Sequence, residues 1–200
     1  MKKMACLFIV ITLLFSITAC SLRTAKNDKM YIQKATLTDQ EQSILDLVGS
    51  EKMPYILDFV VDDTVRSLQI NTYALQGNEW RLITGGDSIK LNEVKSRIAL
   101  SFDNIGLGLR TSIEHEGSTG YKSETEFSFE NLSTTTSFLT DKTTIEYEKE
   151  IPLVIQIHTS KNEVSSLSLQ YGFDHPQTYL ELGYEKVYAI TCLFSKKTTN

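Results

Sequence analysis

The feature that most limits how this chain can fold is a change of hydrophobic period near Met53. Beyond it, Val, Ile, Tyr, Phe and Thr recur at every second position in short runs separated by polar turns, the signature of half-buried strands and not of helices. PYILDFVV, RSLQINTYAL, EWRLIT, SIKL, SRIALSF, LRTSIEHE, TTIEYEKE, IPLVIQIHT, EVSSLSLQYGF and YEKVYAITCLF all read as strands. Turn residues stand between them at Asp62-Asp63, Gly77-Asn78, Gly85-Gly86-Asp87 and Ser160-Lys161-Asn162. Gly77-Asn78 is a two-residue hairpin turn with glycine first, and several of the strands can pair in sequence as a meander. The expectation is a mainly β fold, a single sandwich-like antiparallel β domain over residues 36–200, with a barrel as the alternative closure.

Two short helices belong to this plan. Thr38 and Glu41 have capping-box spacing, Ile44, Leu45, Leu47 and Val48 form an apolar face, and Gly49 stands where a helix stops. Before the last strand, Asp174, Pro176 and Gly183 bracket PQTYLEL as a second helix with a cap, an early proline and a stop. Residues 117–142 are polar, with FSF and SFL as their apolar anchors. A loop of that length is uncommon in a compact domain, so edge strands are expected in part of it. Val65, Ser67, Leu68, Ile70 and Tyr73 resemble Val164, Ser166, Leu167, Leu169 and Tyr171; this is shared strand chemistry, not a repeat.

The start of the chain has a different character. Lys2 and Lys3 precede an apolar run from Ala5 to Ile17, and Ile17-Thr18-Ala19-Cys20 closes it with small residues before a cysteine, the layout of a secretion signal. The run is short for a membrane span of ~20 apolar residues. Those last four residues resemble the bacterial lipobox, and with one β-rich domain behind it the chain resembles the small membrane-anchored lipoproteins of Gram-positive bacteria. The resemblance implies removal of residues 1–19, a diacylglyceryl group on Cys20, and attachment to the outer face of the cell membrane. It implies a location and carries over no site residues for an activity. Residues 20–35, polar and without apolar periodicity, read as a lipidated cysteine followed by a tether.

Charge and cysteine count agree with that location. Loss of residues 1–19 takes Lys2 and Lys3 from 20 basic side chains and none of 25 acidic ones, leaving a net charge near −7. Such a chain has no electrostatic footprint for nucleic acid and none for an anionic membrane surface, so the lipid must do the holding. With Cys6 in the signal and Cys20 taken by the lipid, Cys192 remains alone and no internal disulfide can form. Cys192 shares a strand face with Tyr188, Ile190 and Phe194, where a thiol acts as a small buried hydrophobe.

No motif points to catalysis, a metal or a cofactor. His115, His158 and His175 lie on different elements without ligand spacing. His115, between Glu114 and Glu116, reads as part of a solvated strand face, and His158, on one face with Gln156, as a surface residue. There is no Gly-x-Ser-x-Gly elbow, and Gly106-Leu107-Gly108 does not open a helix after a strand. The acidic residues from Glu114 to Glu150 alternate along strands without a calcium-loop pattern.

The candidate ligand surface is aromatic. A two-residue turn at Gly77-Asn78 sets Gln76 opposite Glu79, Leu75 opposite Trp80 and Tyr73 opposite Leu82. Trp80, the single tryptophan, then shares a face with Tyr73, Gln69 and Asn71, against a more apolar face of Leu68, Ile70, Ala74 and Ile83. Rings bordered by amides suit a glycan, peptide or protein partner. A bulge would reverse the face and an added helix would cover it, and burial is the favoured reading. The functional expectation is a non-catalytic binding module for an envelope glycan, peptide or protein. The alternatives are an accessory subunit that docks through a sheet edge and a cell-envelope hydrolase whose residues come from distant strands.

Overall fold

The computed structural model describes residues 30–48, 54–85, 88–122, 129, 131–165 and 167–197. The signal segment, with Ile17, Thr18, Ala19 and Cys20, lies outside the described residues, as do the helix stop at Gly49 and the turn residues Gly86 and Asp87.

Two antiparallel sheets face each other and remain open, so the sandwich expectation holds and the barrel alternative does not. The first contains β1 (Tyr31–Lys34), β2 (Tyr55–Val60), β6 (Lys95–Ser101), β7 (Gly108–Ile113), β8 (Gly117–Lys122) and β10 (Thr143–Thr144), in the order β10-β1-β2-β6-β7-β8. The second contains β3 (Ser67–Gln76), β4 (Glu79–Thr84), β9 (Ser133–Phe138), β11 (Ile151–Thr159) and β12 (Lys186–Ser195), in the order β4-β3-β12-β11-β9, with β5 (Ser88–Lys90) also on β3. β6, β7 and β8 form the expected meander. Both strands found in the ambiguous stretch 117–142, β8 and β9, are sheet edges, as expected from their polar composition.

Between the sheets lies the main core, with Ile32, Leu57, Phe59, Ile98, Leu100, Ile190, Cys192 and Phe194 essentially inaccessible. The outer face of the second sheet buries a smaller cluster, Ile155, Ile157, Tyr179, Tyr184, Val187 and Ala189, beneath α2 (Leu169–Asp174) and α3 (Gln177–Glu181). β11 and β12 are therefore covered on both faces. This explains why IPLVIQIHT and VYAITCLF are nearly continuous apolar runs.

Several segments depart from the sequence reading. Residues 31–34 are not tether: they pair with Leu57–Val60, and Ile32 is fully buried, because one well-placed isoleucine and an open edge on β2 hold a strand that four mixed residues do not announce. The EVSSLSLQYGF run is not a strand; residues 163–165, 167 and 168 are irregular and α2 follows, its first turn capped by Ser168 Oγ, which accepts from the Tyr171 amide. TTIEYEKE contributes only β10 and a single bridge from Tyr147 to Phe194. Asp174 ends α2 and does not cap α3, which starts behind Pro176.

α1 (Asp39–Val48) forms where the capping box places it. The Thr38 amide donates to Glu41 Oε2 (2.7 Å), and the Glu41 amide donates to Thr38 Oγ1 (3.3 Å). Glu41 also pairs with Arg97, whose Nε donates to Asp58 Oδ1 at 2.7 Å, and this ties the helix to the first sheet. Its apolar face is not a core element, since Ile44 is 53% and Leu47 85% exposed. Among the described residues no helix is long and apolar enough to cross a membrane.

Candidate functional site

The hairpin register is the one that the two-residue turn dictates, with Gln76 opposite Glu79, Leu75 opposite Trp80 and Tyr73 opposite Leu82. A register shift does occur, but between Thr72 and Tyr73, beyond the tryptophan, so Trp80 stays on the face of Tyr73, Asn71 and Gln69. That face is covered by an added helix. Trp80 stacks on Phe173 of α2 (5.5 Å between centroids, 19° between planes) and donates Nε1–H to the Phe173 carbonyl at 2.8 Å. Tyr179 of α3 meets the indole edge-on at 6.2 Å, and Tyr73 meets Phe173 edge-on at 5.8 Å. The indole is thus committed to holding the helical layer, with most of its surface buried.

Glu150, just ahead of β11, gathers the rest of this face. Its Oε1 accepts from Asn71 Nδ2 (2.8 Å) and from the Tyr73 hydroxyl, and its Oε2 accepts from Thr191 Oγ1 (2.7 Å). Burial first, and the Glu150 carboxylate second, push the Tyr73 phenol well above its ordinary range. Asn71 is buried, and the backbone of Gly85 packs against it so closely that a Cβ would meet its side chain. Of the two amides expected to greet a ligand, Asn71 is spent on this carboxylate, and Gln69 is half-buried on the same strand.

His158 and Gln156 are likewise internal, against the expectation of a surface position. Both point between the sheets and are fully buried, because β11 lies between β9 and β12. Thr134 Oγ1 lies 2.9 Å from His158 Nδ1, and His158 Nε2 lies 3.2 Å from Gln156 Oε1; a neutral ring with its proton on Nε2 satisfies both contacts. Gln156 Oε1 also accepts from the Ile105 amide (2.8 Å), while its Nε2 donates to the Asp103 carbonyl (2.8 Å). Phe129 and Tyr188 pack on the imidazole at 4.4 and 5.7 Å. Burial, helped by the Lys186 charge, lowers the His158 pKa to about 4. His115 sits in the β7–β8 turn with positive φ instead of within a strand, and His175 closes α2 against Tyr171. Among the described residues no group of three or more His, Cys, Asp or Glu side chains could hold a metal ion.

Among the accessible grooves of the described residues is one of about 440 Å³ at the end of the second sheet, where the β3–β4 hairpin runs past the last β12 partner. Leu75, Arg81, Leu82 and Ile83 line one side, Lys186, Val187 and Tyr188 the other. Leu82 and Ile83 are 48% and 41% exposed. Lys186 lies 4.9 Å over the Phe129 ring, and Glu185 is held by the Ser160 amide (3.1 Å) and hydroxyl (2.5 Å), which lower its pKa to about 2. Arg81 makes no ion pair among the described residues. The sequence carries one signal for this groove: Leu82 and Ile83 are adjacent in a strand, so one sheet face cannot bury both. No protein-family model, curated protein or solved structure matches the chain.

Proposed function

We propose that the protein is a non-catalytic binding module on the outer face of a cell membrane, held there by a diacylglyceryl group on Cys20. In this reading a peptide or protein segment occupies the groove of Arg81, Leu82, Ile83 and Lys186. The observation that carries it is the pair of exposed aliphatic side chains, Leu82 and Ile83, next to Arg81, which makes no ion pair among the described residues. The volume of about 440 Å³ falls within the range of ~300–1,000 Å³ usual for ligand sites. A segment with a carboxylate for Arg81 and an apolar side chain on each side of the β4 edge would bury Leu82 and Ile83, which point to opposite faces of the strand. A glycan is less well served, because the rings that would stack on sugar faces, Trp80 and Tyr73, are packed against Phe173. The anchor is supported by the lipobox residues and by the acidic charge of the exported domain.

A thermal-shift screen of blocked acidic-apolar peptides, cell-wall oligosaccharides and divalent metals tests the reading. Ligand at a hundred times Kd stabilises by ~2.7 kcal/mol, a rise in Tm of roughly 5–11 °C for a domain of this size. The expected result is a shift with peptides that Leu82→Gln abolishes while the unliganded midpoint stays in place. A shift with oligosaccharides alone, or one that Leu82→Gln leaves intact, would overturn it. The anchor is tested separately: Cys20→Ser should leave the signal uncleaved and the protein without lipid, and unchanged processing would contradict it.

A further inference from the structure

The outer edge of β9 is chemically unlike the edges at β4, β8 and β10, the other ends of the two strand orders. Natural sheets blunt an exposed edge with charge, glycine, proline or extreme shortness, because its unpaired N–H and C=O groups template pairing with another chain. β4 carries Glu79 and Arg81, β8 carries Gly117, Gly120 and Lys122, and β10 is only two residues long. The β9 segment, Leu132 to Thr140, has no charge, no glycine and no proline, and its first three strand residues are exposed. Leu139 donates its amide to Leu153 of the β11 segment (2.9 Å). Antiparallel alternation therefore turns the odd-numbered residues toward β11 and directs the N–H and C=O of Thr134 and Thr136 outward, where no described residue pairs with them.

The same stretch is a palindrome, Ser133-Thr134-Thr135-Thr136-Ser137. A two-fold axis through Thr135 would pair Thr134 with Thr136 of a second chain, and Thr136 with its Thr134, closing four backbone hydrogen bonds. Thr135 then faces its own copy at a non-hydrogen-bonded position, where side chains come closest, and Ser133 faces Ser137. Threonine and serine pairs are favourable across strands, and no like charges are opposed. Self-complementary contact about a two-fold is the usual geometry of a homodimer. We infer that β9 is a homodimerisation edge, joining the second sheets of two copies of this chain into one continuous sheet. The inference is independent of the groove, which lies at the opposite edge of that sheet.

Sedimentation velocity of the full chain in mild detergent, across a concentration series, is the test, with Thr135→Lys and Thr135→Glu as variants. Thr135 is exposed, so both should keep the parent Tm, a measurement that separates misfolding from lost association. The wild type is expected to dimerise reversibly. Each variant alone should weaken the dimer at least about tenfold, equal to about 1.4 kcal/mol, because like charges meet at the axis, and an equimolar mixture of the two should restore it. A wild type that stays monomeric would overturn the inference. So would variants that dimerise like the parent, or a mixture no tighter than either variant alone.

Discussion

His158 should make the fold acid-sensitive from about pH 6.5 downward. The ring is neutral and fully enclosed, with Thr134, Gln156, Phe129 and Tyr188 around it and Lys186 as its cross-strand neighbour. Its pKa falls from the ordinary 6.5 to about 4 on folding. Above pH 6.5 both states carry the neutral ring, and the stability it confers is fully present. As pH falls from 6.5 toward 4, the unfolded chain binds a proton that the folded chain does not accept, and that stability is lost. Linkage gives ~1.36 kcal/mol per pH unit, or about 2.5 kcal/mol between pH 7.5 and 4.5. Glu41, Asp62 and Glu185 are held near pKa 2 by their hydrogen bonds; their contributions fade only below their ordinary values, so the window above pH 4.5 belongs to His158. Urea unfolding of the wild type and of His158→Gln, followed by far-UV circular dichroism at pH 7.5, 6.5, 5.5 and 4.5, measures this. Glutamine retains donor and acceptor but not the ring, and should cost about 1–2 kcal/mol at pH 7.5 through lost packing. Its stability should then stay nearly flat to pH 4.5, while the wild type falls. Equal losses in both proteins would refute the assignment.

Substitutions at three further contacts, two on the outer face and one between the sheets, probe the packing. Trp80→Ala should cost about 2–4 kcal/mol, below the full-core value because the indole is not fully buried, and Trp80→Phe about 1 kcal/mol from the hydrogen bond to Phe173; urea midpoints with unchanged m-values would show it. Glu150→Ala leaves Asn71, Thr191 and Tyr73 without their acceptor and should cost about 3 kcal/mol, with the Tyr73 phenol titrating at lower pH in ultraviolet difference spectra. Gly106→Ala would place a Cβ 2.6 Å from Tyr188 Cζ; the overpacking should cost about 1–3 kcal/mol, and the paired variant Tyr188→Phe should recover little of it, since the ring carbons remain.

The parts of this fold that are legible in the sequence are those specified by local chemistry. The Thr38–Glu41 box starts α1 at Asp39, and Gly77-Asn78 fixes the register that sets Leu75 against Trp80. Residues whose role depends on distant partners are not legible. The alternation in LSLQYGF fits a strand, yet the aromatic face of Tyr73 and Trp80 needs a cover, and Phe173 supplies it from a helix. Gln156 and His158 read as solvent-facing because no local signal reveals that Thr134, Ile105 and Asp103 will satisfy them inside the sandwich. Glu150 stands outside any strand, among many acidic neighbours, and only the fold brings Asn71, Tyr73 and Thr191 to it.

The most direct test of groove binding is a residue-resolved titration: ¹⁵N–¹H correlation spectra of the protein with a blocked acidic-apolar peptide. Saturable shifts are expected for Arg81, Leu82, Ile83 and Lys186 to Tyr188, with Gln69 and Asn71 unmoved. Shifts centred on Gln69, Asn71 and Glu150, or none at peptide concentrations that saturate the thermal shift, would contradict binding in the groove.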